Sequence, residues 1–425
     1  MGTPRTLQTV DDLLEVGKWT DGMINARPGK DIPKTALQDA QNVNISDAGS
    51  VIRRKGYKLE VGAVNGKGNS CFADEYGLYF CDGSDLIKAV NDGGTWTTKV
   101  IRSDLTVNKR MSWVKGQGQT WYSNGIQKGK FVFGEHAPFS VETPASQPTV
   151  SSSSGDFSAG RVGIAVSFVN KAGEESGTQI RVYVDVLDNG GVRVSDLPQP
   201  SSKDIAHIRV YSTDSNGTLP YKYADIPVGI RSITVTRSNS KGLALFNELT
   251  DEFPACEQLE VWRGFMLGVQ ENILWYSEPM RFGLCQLQSN FIIFEAPITN
   301  ILALDDGFYV VADKTYFISG GQPDNWTRRE VLPYGEGVKG TTWKHPTKVE
   351  GGWFSAKGEI VCRPGGELNN RTLEKIAPNR YKEGAVLFRR EDGIEHLINV
   401  FPDQGSAQVM GASSFTDAKI IRARK

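Results

Sequence analysis

One unit recurs along this chain every ~40 residues, the spacing of β-propeller blades: a hydrophobic strand, a glycine or Asp-Gly turn, a second strand carrying aromatics, and a polar loop. It is clearest in Leu259–Gly268 and Asn272–Pro279, then in Ile301–Leu304, Gly307–Ala312 and Thr315–Ser319. It returns around Trp343, Gly351–Ser355, Glu359–Arg363, Gly384–Arg389 and Glu395–Val400. The same texture stands earlier, in Ser70–Phe72, Gly77–Cys81, Ile87–Val90, Trp96–Ile101, Met111–Lys115, Gln119–Ser123 and Phe131–Phe133. Composition agrees, because 46 glycines against 6 methionines suit turns and strands rather than helical cores. No WD or kelch signature marks the repeats, so an irregular β-barrel competes with the propeller.

The middle of the chain interrupts this rhythm. Ala145–Gly155 (ASQPTVSSSSG) reads as a linker. Beyond it, Arg161–Val169, Ile180–Leu187, Gly191–Val194, His207–Ser212, Tyr221–Ile226 and Ser232–Val235 are strand candidates at the even spacing of a β-sandwich. The segments VSFVNKAGEES (166–176), IRVYST (208–213) and YADIP (223–227) resemble a fibronectin type III or immunoglobulin-like module. The expected fold is therefore all-β: a β-propeller-like domain over 61–144 and 241–425, interrupted by an inserted sandwich over 145–240. Residues 1–60 read as an extended N-terminal arm with first strands and one short helix, Val10–Val16. A short basic tail, KIIRARK, closes the chain at 419–425.

Charge and motifs narrow the function. Of 425 residues, 48 are Lys or Arg and 49 are Asp or Glu, so the net charge is −1, without the basic excess of a tight nucleic-acid binder. No run reaches the roughly 18 apolar residues of a membrane span, and Met-Gly-Thr-Pro-Arg does not begin a signal peptide. Cys71, Cys81, Cys256, Cys285 and Cys362 form no CxxC pair and read as reduced, buried small hydrophobes, although Cys71 and Cys81 are candidates for cross-strand neighbours. His136, His207, His345 and His396 share no metal-ligand spacing. GxSxG, HExxH and P-loop motifs are missing, and GAVNGKG (62–68) lacks the ending that holds a phosphate. Asp82-Gly83-Ser84-Asp85 and Asp305-Asp306-Gly307 read as hairpin turns rather than calcium loops. The carboxylates Glu174, Glu175, Asp251, Glu252 and Glu278 keep a propeller glycosidase open as an enzymatic reading. The nine tryptophans fall mostly within strand runs, where packing explains them. Neither catalytic residues nor a cofactor is expected.

Two blocks carry a family resemblance. Gly22–Tyr57 (GMINARPGKDIPKTALQDAQNVNISDAGSVIRRKGY) holds a proline-rich stretch, Leu37 leading to Asp39-Ala40-Gln41-Asn42-Val43, and Gly49 before Arg53-Arg54-Lys55-Gly56-Tyr57. Leu259–Pro279 holds an apolar strand, Arg263-Gly264, a second apolar strand and Tyr276-Ser277-Glu278-Pro279, directly after the sandwich. Together these resemble the tail-nozzle, or packaged-DNA-stabilisation, proteins of short-tailed phages (podoviruses). The resemblance implies a structural virion protein without enzymatic activity, made in the host cytoplasm and assembled in the tail. Its partners would be further copies of itself in a homohexameric ring, the portal and head–tail adaptor above, and a tail fibre or spike. It would close and then conduct the DNA ejection channel, touching genomic DNA without sequence preference. Asn42, Asp47, Arg53, Arg54 and Tyr57 of the arm are then candidate subunit-interface residues, and Arg328, Arg329, Arg389 and Arg390 are candidates to face the lumen and its DNA. Another tail component (a hub, distal tail protein or fibre-attachment ring), a cell-surface or receptor-binding propeller and a glycan-binding or glycosidase propeller remain the alternatives.

Overall fold

The computed structural model describes residues 18–38, 43–45, 49–53, 61, 68–373, 375, 381–391 and 394–401. The expected helix at Val10–Val16, most of GAVNGKG and the basic tail lie outside these residues. Two small ladders come first: β1 (Gly22–Met23) runs parallel to β2 (Ala36–Leu37), and β3 (Val43–Ile45) antiparallel to β4 (Val51–Arg53).

Five four-stranded antiparallel sheets follow the repeat seen in the sequence, each a simple meander. Blade I is β5 (Gly68–Asp74), β6 (Gly77–Asp82), β7 (Asp85–Asp92) and β8 (Thr95–Arg102). Blade II is β9 (Ser112–Gly116), β10 (Gln119–Ser123), β11 (Lys128–Val132) and β12 (Glu135–Ala137). The sandwich comes next, as β13 (Thr149–Phe157), β14 (Gly160–Asn170), β15 (Val182–Val186), β16 (Gly190–Ser195), β17 (Ile205–Ser212), β18 (Tyr221–Pro227) and β19 (Ile233–Val235). A short strand β20 (Asp251–Glu252) then leads back to the blades and pairs with β24 (Leu284–Cys285). Blade III is β21 (Gln258–Trp262), β22 (Phe265–Gln270), β23 (Ile273–Tyr276) and β25 (Phe291–Ile293). Blade IV is β26 (Asn300–Ala303), β27 (Gly307–Val311), β28 (Thr315–Ser319) and β29 (Thr327–Leu332). Blade V is β30 (Trp343–Lys344), β31 (Gly351–Ser355), β32 (Gly358–Arg363) and β33 (Glu367–Asn370), and a hairpin of β34 (Ala385–Glu391) and β35 (Ile394–Val400) ends the described chain.

First strands begin at residues 68 and 112, then at 258, 300, 343 and 385, so uninterrupted steps are 42 to 44 residues. Each sheet stacks its faces on its sequence neighbours. Tyr79, Leu86, Tyr122 and Phe131 fill the seam between blades I and II; Trp121, Leu259 and Met266 that between II and III. Trp262, Leu267, Phe308 and Val310 join III to IV, Tyr309, Phe317, Trp353 and Ile360 join IV to V, and Trp343, Val361 and Leu397 join V to the hairpin. This is the stacking of a β-propeller. It explains why the second strands β27 and β31 are buried at every residue while the outer strand β29 is largely exposed. A strand covered on both faces reads as a continuous apolar run rather than an alternation. Tight turns link the strands: Gln117-Gly118 and Arg263-Gly264 both take positive φ at both positions, the type I′ geometry that favours glycine at the second.

The sandwich sets the three-stranded sheet β13-β16-β19 against the four-stranded sheet β15-β14-β17-β18. Val162, Ile164, Val166, Phe168, Val192, Val194, Ile208 and Val210 fill the space between them. One sequence expectation is corrected here. The second half of ASQPTVSSSSG is no linker but β13, paired residue for residue with β16 from Thr149 opposite Ser195 to Ser154 opposite Gly190. A serine run carries little apolar signal, yet on an edge strand its side chains face water while Val150 packs inward on the core. The cysteines are free; four are buried and Cys71 is exposed, and burial raises the Cys81 thiol to about 12.

The aromatic seam between blades III and IV generates a prediction. Phe308 lies edge-on to Trp262 at 5.1 Å and to Trp326 at 5.3 Å and is fully buried. Phe308→Ala is expected to lower unfolding free energy by about 3–5 kcal/mol, read from the urea midpoint at unchanged slope.

Candidate functional site at the propeller axis

First strands surround the axis of a propeller, and here they are stitched to one another by polar side chains. The Leu259 amide donates to Ser112 Oγ at 2.9 Å, joining blade III to blade II. Gln258 Nε2 donates to the Thr299 carbonyl at 2.7 Å, and Asn300 Nδ2 to the Val338 carbonyl at 3.1 Å and to Thr342 Oγ1 at 2.9 Å. Those bonds carry the chain of contacts through blade IV to blade V.

Charged groups sit on this framework in pairs. Glu260 is buried on β21, accepts the Val261 amide at 2.9 Å, and is reached by Lys344 Nζ from β30 at 2.7 Å. Just before the strands begin, Lys339 Nζ meets Glu257 at 2.8 Å. Arg110, two residues before β9, donates Nη2 to the Gly340 carbonyl at 2.9 Å and Nη1 to the Gly384 carbonyl. Desolvation lowers the pKa of this guanidinium, and the charge of Glu383 opposes that shift. A Cβ at Gly340 would collide with Arg110, so the close approach requires glycine. Arg110 thus ties the start of blade II to the starts of blade V and the hairpin, and the succession of sheets curves back on itself. Three cations (Arg110, Lys339, Lys344) face three carboxylates (Glu257, Glu260, Glu383). Each contact neutralises charge or holds backbone; none leaves a nucleophile beside a base.

Of the described residues singled out in the sequence, Arg53, Arg328 and Arg329 lie off the first strands of the blades. Arg53 is exposed on β4, while Asn42, Asp47, Arg54 and Tyr57 are outside the described residues. Arg328 and Arg329 stand on the outer strand of blade IV. The first lies over Tyr316 at 5.1 Å and Phe294 at 5.5 Å; the second lies over Phe317 at 5.8 Å and donates to the Gly365 carbonyl at 2.5 Å. Arg389 and Arg390 belong to β34, opposite His396 and Glu395. The two arginine pairs therefore occupy different elements.

Carboxylates weighed for glycoside chemistry are bound into the framework. Glu175 accepts from Arg209 Nη1 at 2.8 Å and from the Tyr211 hydroxyl at 2.8 Å, Glu174 pairs with Lys130, and Glu278 accepts from Asn290 at 2.8 Å. Among the described residues no group of three His, Cys, Asp or Glu side chains is placed to hold a metal ion, and none of the helices there is long and apolar enough to cross a membrane. The axial residues Arg110, Glu257, Lys339 and Glu383 match no motif and were not singled out. Their signal is positional: each stands one to four residues before a first strand of the repeat.

No protein-family model and no curated protein sequence matches the chain. Solved structures similar to it include BBS1N in complex with ARL6DN (9% identity, 82% of this chain and 97% of that one, TM-score 0.30). Virginiamycin B lyase from Staphylococcus aureus is another (10% identity, 79% and 92%, TM-score 0.28). At these scores the likeness carries no argument, and the propeller is read from the sheet order and seams above.

Arg110→Gln removes the charge-assisted bonds to two carbonyls. It is expected to lower stability by about 1–3 kcal/mol and to speed amide exchange around Lys339 and Gly384, whose backbones pair with each other, while blades III and IV keep their protection.

Proposed function

We propose that this chain is a non-enzymatic ring subunit of a phage tail, in the manner of the nozzle proteins of short-tailed phages. It would assemble through its N-terminal arm with further copies, and act by enclosing and then opening a DNA passage. The observation that carries this reading is β4. Val51 and Ile52 are 42% and 54% exposed, and Arg53 beside them is exposed as well. A short apolar strand ending in charge, left open on an arm, suits a defined partner strand or surface more than it suits water. It falls inside the first of the two blocks that resemble the nozzle family. The second block supplies β21, β22 and β23 of blade III, immediately after the inserted sandwich. Near-neutral charge supports a conduit that lets a polyanion slide rather than bind. Hexameric symmetry, attachment to portal, adaptor and fibre or spike, location in the virion tail, and a lumen-facing role for Arg328, Arg329, Arg389 or Arg390 belong to the same proposal.

Native mass spectrometry with two-dimensional class averages tests it, and a sixfold ring with a central opening is the expected result. Val51→Asp combined with Ile52→Asp is expected to weaken self-association at least about tenfold without changing the fold of blades or sandwich. A threefold particle, or a ring indifferent to both substitutions, would refute the arm-mediated hexamer. Release of saccharide by the purified protein would favour the glycosidase instead.

A further inference from the structure

The seam between blade V and the terminal hairpin contains a set of buried polar atoms without partners. Glu359, on β32, is 1% exposed and neither carboxyl oxygen has a hydrogen-bond partner. Asn399 Nδ2, on β35, and Trp343 Nε1, on β30, are likewise buried and unbonded. Register places these groups on facing surfaces. Glu359 stands opposite Phe354 and shares a face with Val361, two residues on. Phe354 packs on Phe401 at 5.0 Å, and Val361 packs with Leu397 and Trp343. Asn399, opposite Val386, shares a strand face with Leu397, the face that packs on Val361 and Trp343. Two unbonded donors therefore share a seam with an unbonded carboxyl.

A buried polar group without partners is uncommon in folded proteins, and an ionised carboxylate there is unfavourable. We propose that this seam is a proton-controlled clasp: the hairpin β34–β35 docks on blade V while Glu359 carries its proton, and loss of that proton loosens the hairpin. The proposal is independent of the tail reading. Burial raises the Glu359 carboxyl to about 7, with Arg371 pulling it down and Glu350 pushing it up. Arg371 is itself held by Glu350 at 3.6 Å, and its pull on Glu359 is outweighed by burial. Tyr381 and Glu383 lead into the hairpin. At the far end of the seam, Glu395 of β35 is paired with Lys348 at 2.8 Å and His345 at 3.2 Å.

The sign follows from linkage. With the folded pKa above the free value of 4.5, docking is strongest where both states are protonated and is lost as pH rises through about 7. Glu395 acts at the other end of the scale. Lys348 and then His345 lower it from 4.5 to about 2, so its contribution is present above about 4.5 and is lost as pH falls toward 2. Between about pH 5 and pH 9 the docking equilibrium is expected to fall on the order of a hundredfold.

Hydrogen exchange of the β34 and β35 amides, corrected for intrinsic rate and followed across that range, reads this directly. Wild-type protection is expected to fall as pH rises, Glu359→Gln to abolish the dependence, and His345→Gln to retain it. Flat wild-type protection, persistence of the response in Glu359→Gln, or its loss in His345→Gln would overturn the clasp. Should Glu359→Gln fail to fold, the Trp343 indole proton resonance in the unsubstituted chain and in His345→Gln decides. A midpoint near 7 in both supports the proposal; no titration, or one lost with His345, refutes it.

Discussion

Blade III stands beside blade II although a whole sandwich separates them in the chain, and the contact between their first strands is what the remaining architecture depends on. The Leu259 amide on Ser112 Oγ and the Cys256 amide on Ser123 Oγ, at 2.9 Å and 3.0 Å, join segments 147 and 133 residues apart. Around them Trp121, Leu259, Met266, Phe253 and Phe282 exclude water. Closing a long loop is only slightly more unfavourable than closing a short one, so one well-packed seam is enough to hold the insertion. From there the same kind of seam repeats through blades IV and V, and each blade supplies its neighbour with a cover for an otherwise exposed apolar face.

The sandwich is fastened beside that seam by buried charge. Lys130, almost fully covered on β11, lies over the Trp121 ring at 4.7 Å and pairs with Glu174 from the loop after β14. The adjacent Glu175 turns the other way, into Arg209 and Tyr211 of the sandwich's own sheet. This neighbouring pair of carboxylates thus divides between the two sides of the junction, one acid for each. Buried ion pairs add little net stability compared with apolar packing, but breaking one leaves a stranded charge. Their use here is orientation: the pair sets where the sandwich sits on blade II.

The axis and the terminal seam apply opposite electrostatic solutions. At the axis, cations and carboxylates alternate and cancel, and Arg110 reaches across to backbone carbonyls on the far blades. At the seam with the hairpin, neither Glu359 carboxyl oxygen has a hydrogen-bond partner and burial outweighs the pull of Arg371, so its proton supplies the neutrality. The axial charges keep access to water, the Lys344 side chain being 43% and the Lys339 side chain 36% exposed, whereas Glu359 is enclosed between the sheets.

Much of this was legible in the amino-acid sequence. Strand-turn-strand units at a blade-like period, the Asp-Gly and Arg-Gly turns and the position of the sandwich all depend on local chemistry: apolar runs, glycines able to take positive φ, and the breaks between them. Tertiary structure alone decided which polar residues meet. Arg110 and Gly384, Glu260 and Lys344, and Lys130 and Glu174 are distant in sequence and lie in no motif, because their partners are set by stacking of sheets rather than by spacing along the chain. For the same reason Thr149–Gly155 looks like part of a linker until β16 pairs with it, and the rings of Tyr316 and Phe317 beneath Arg328 and Arg329 are visible only in the fold. Local pattern fixed the strands; the packing of one sheet on the next assigned each charge its role.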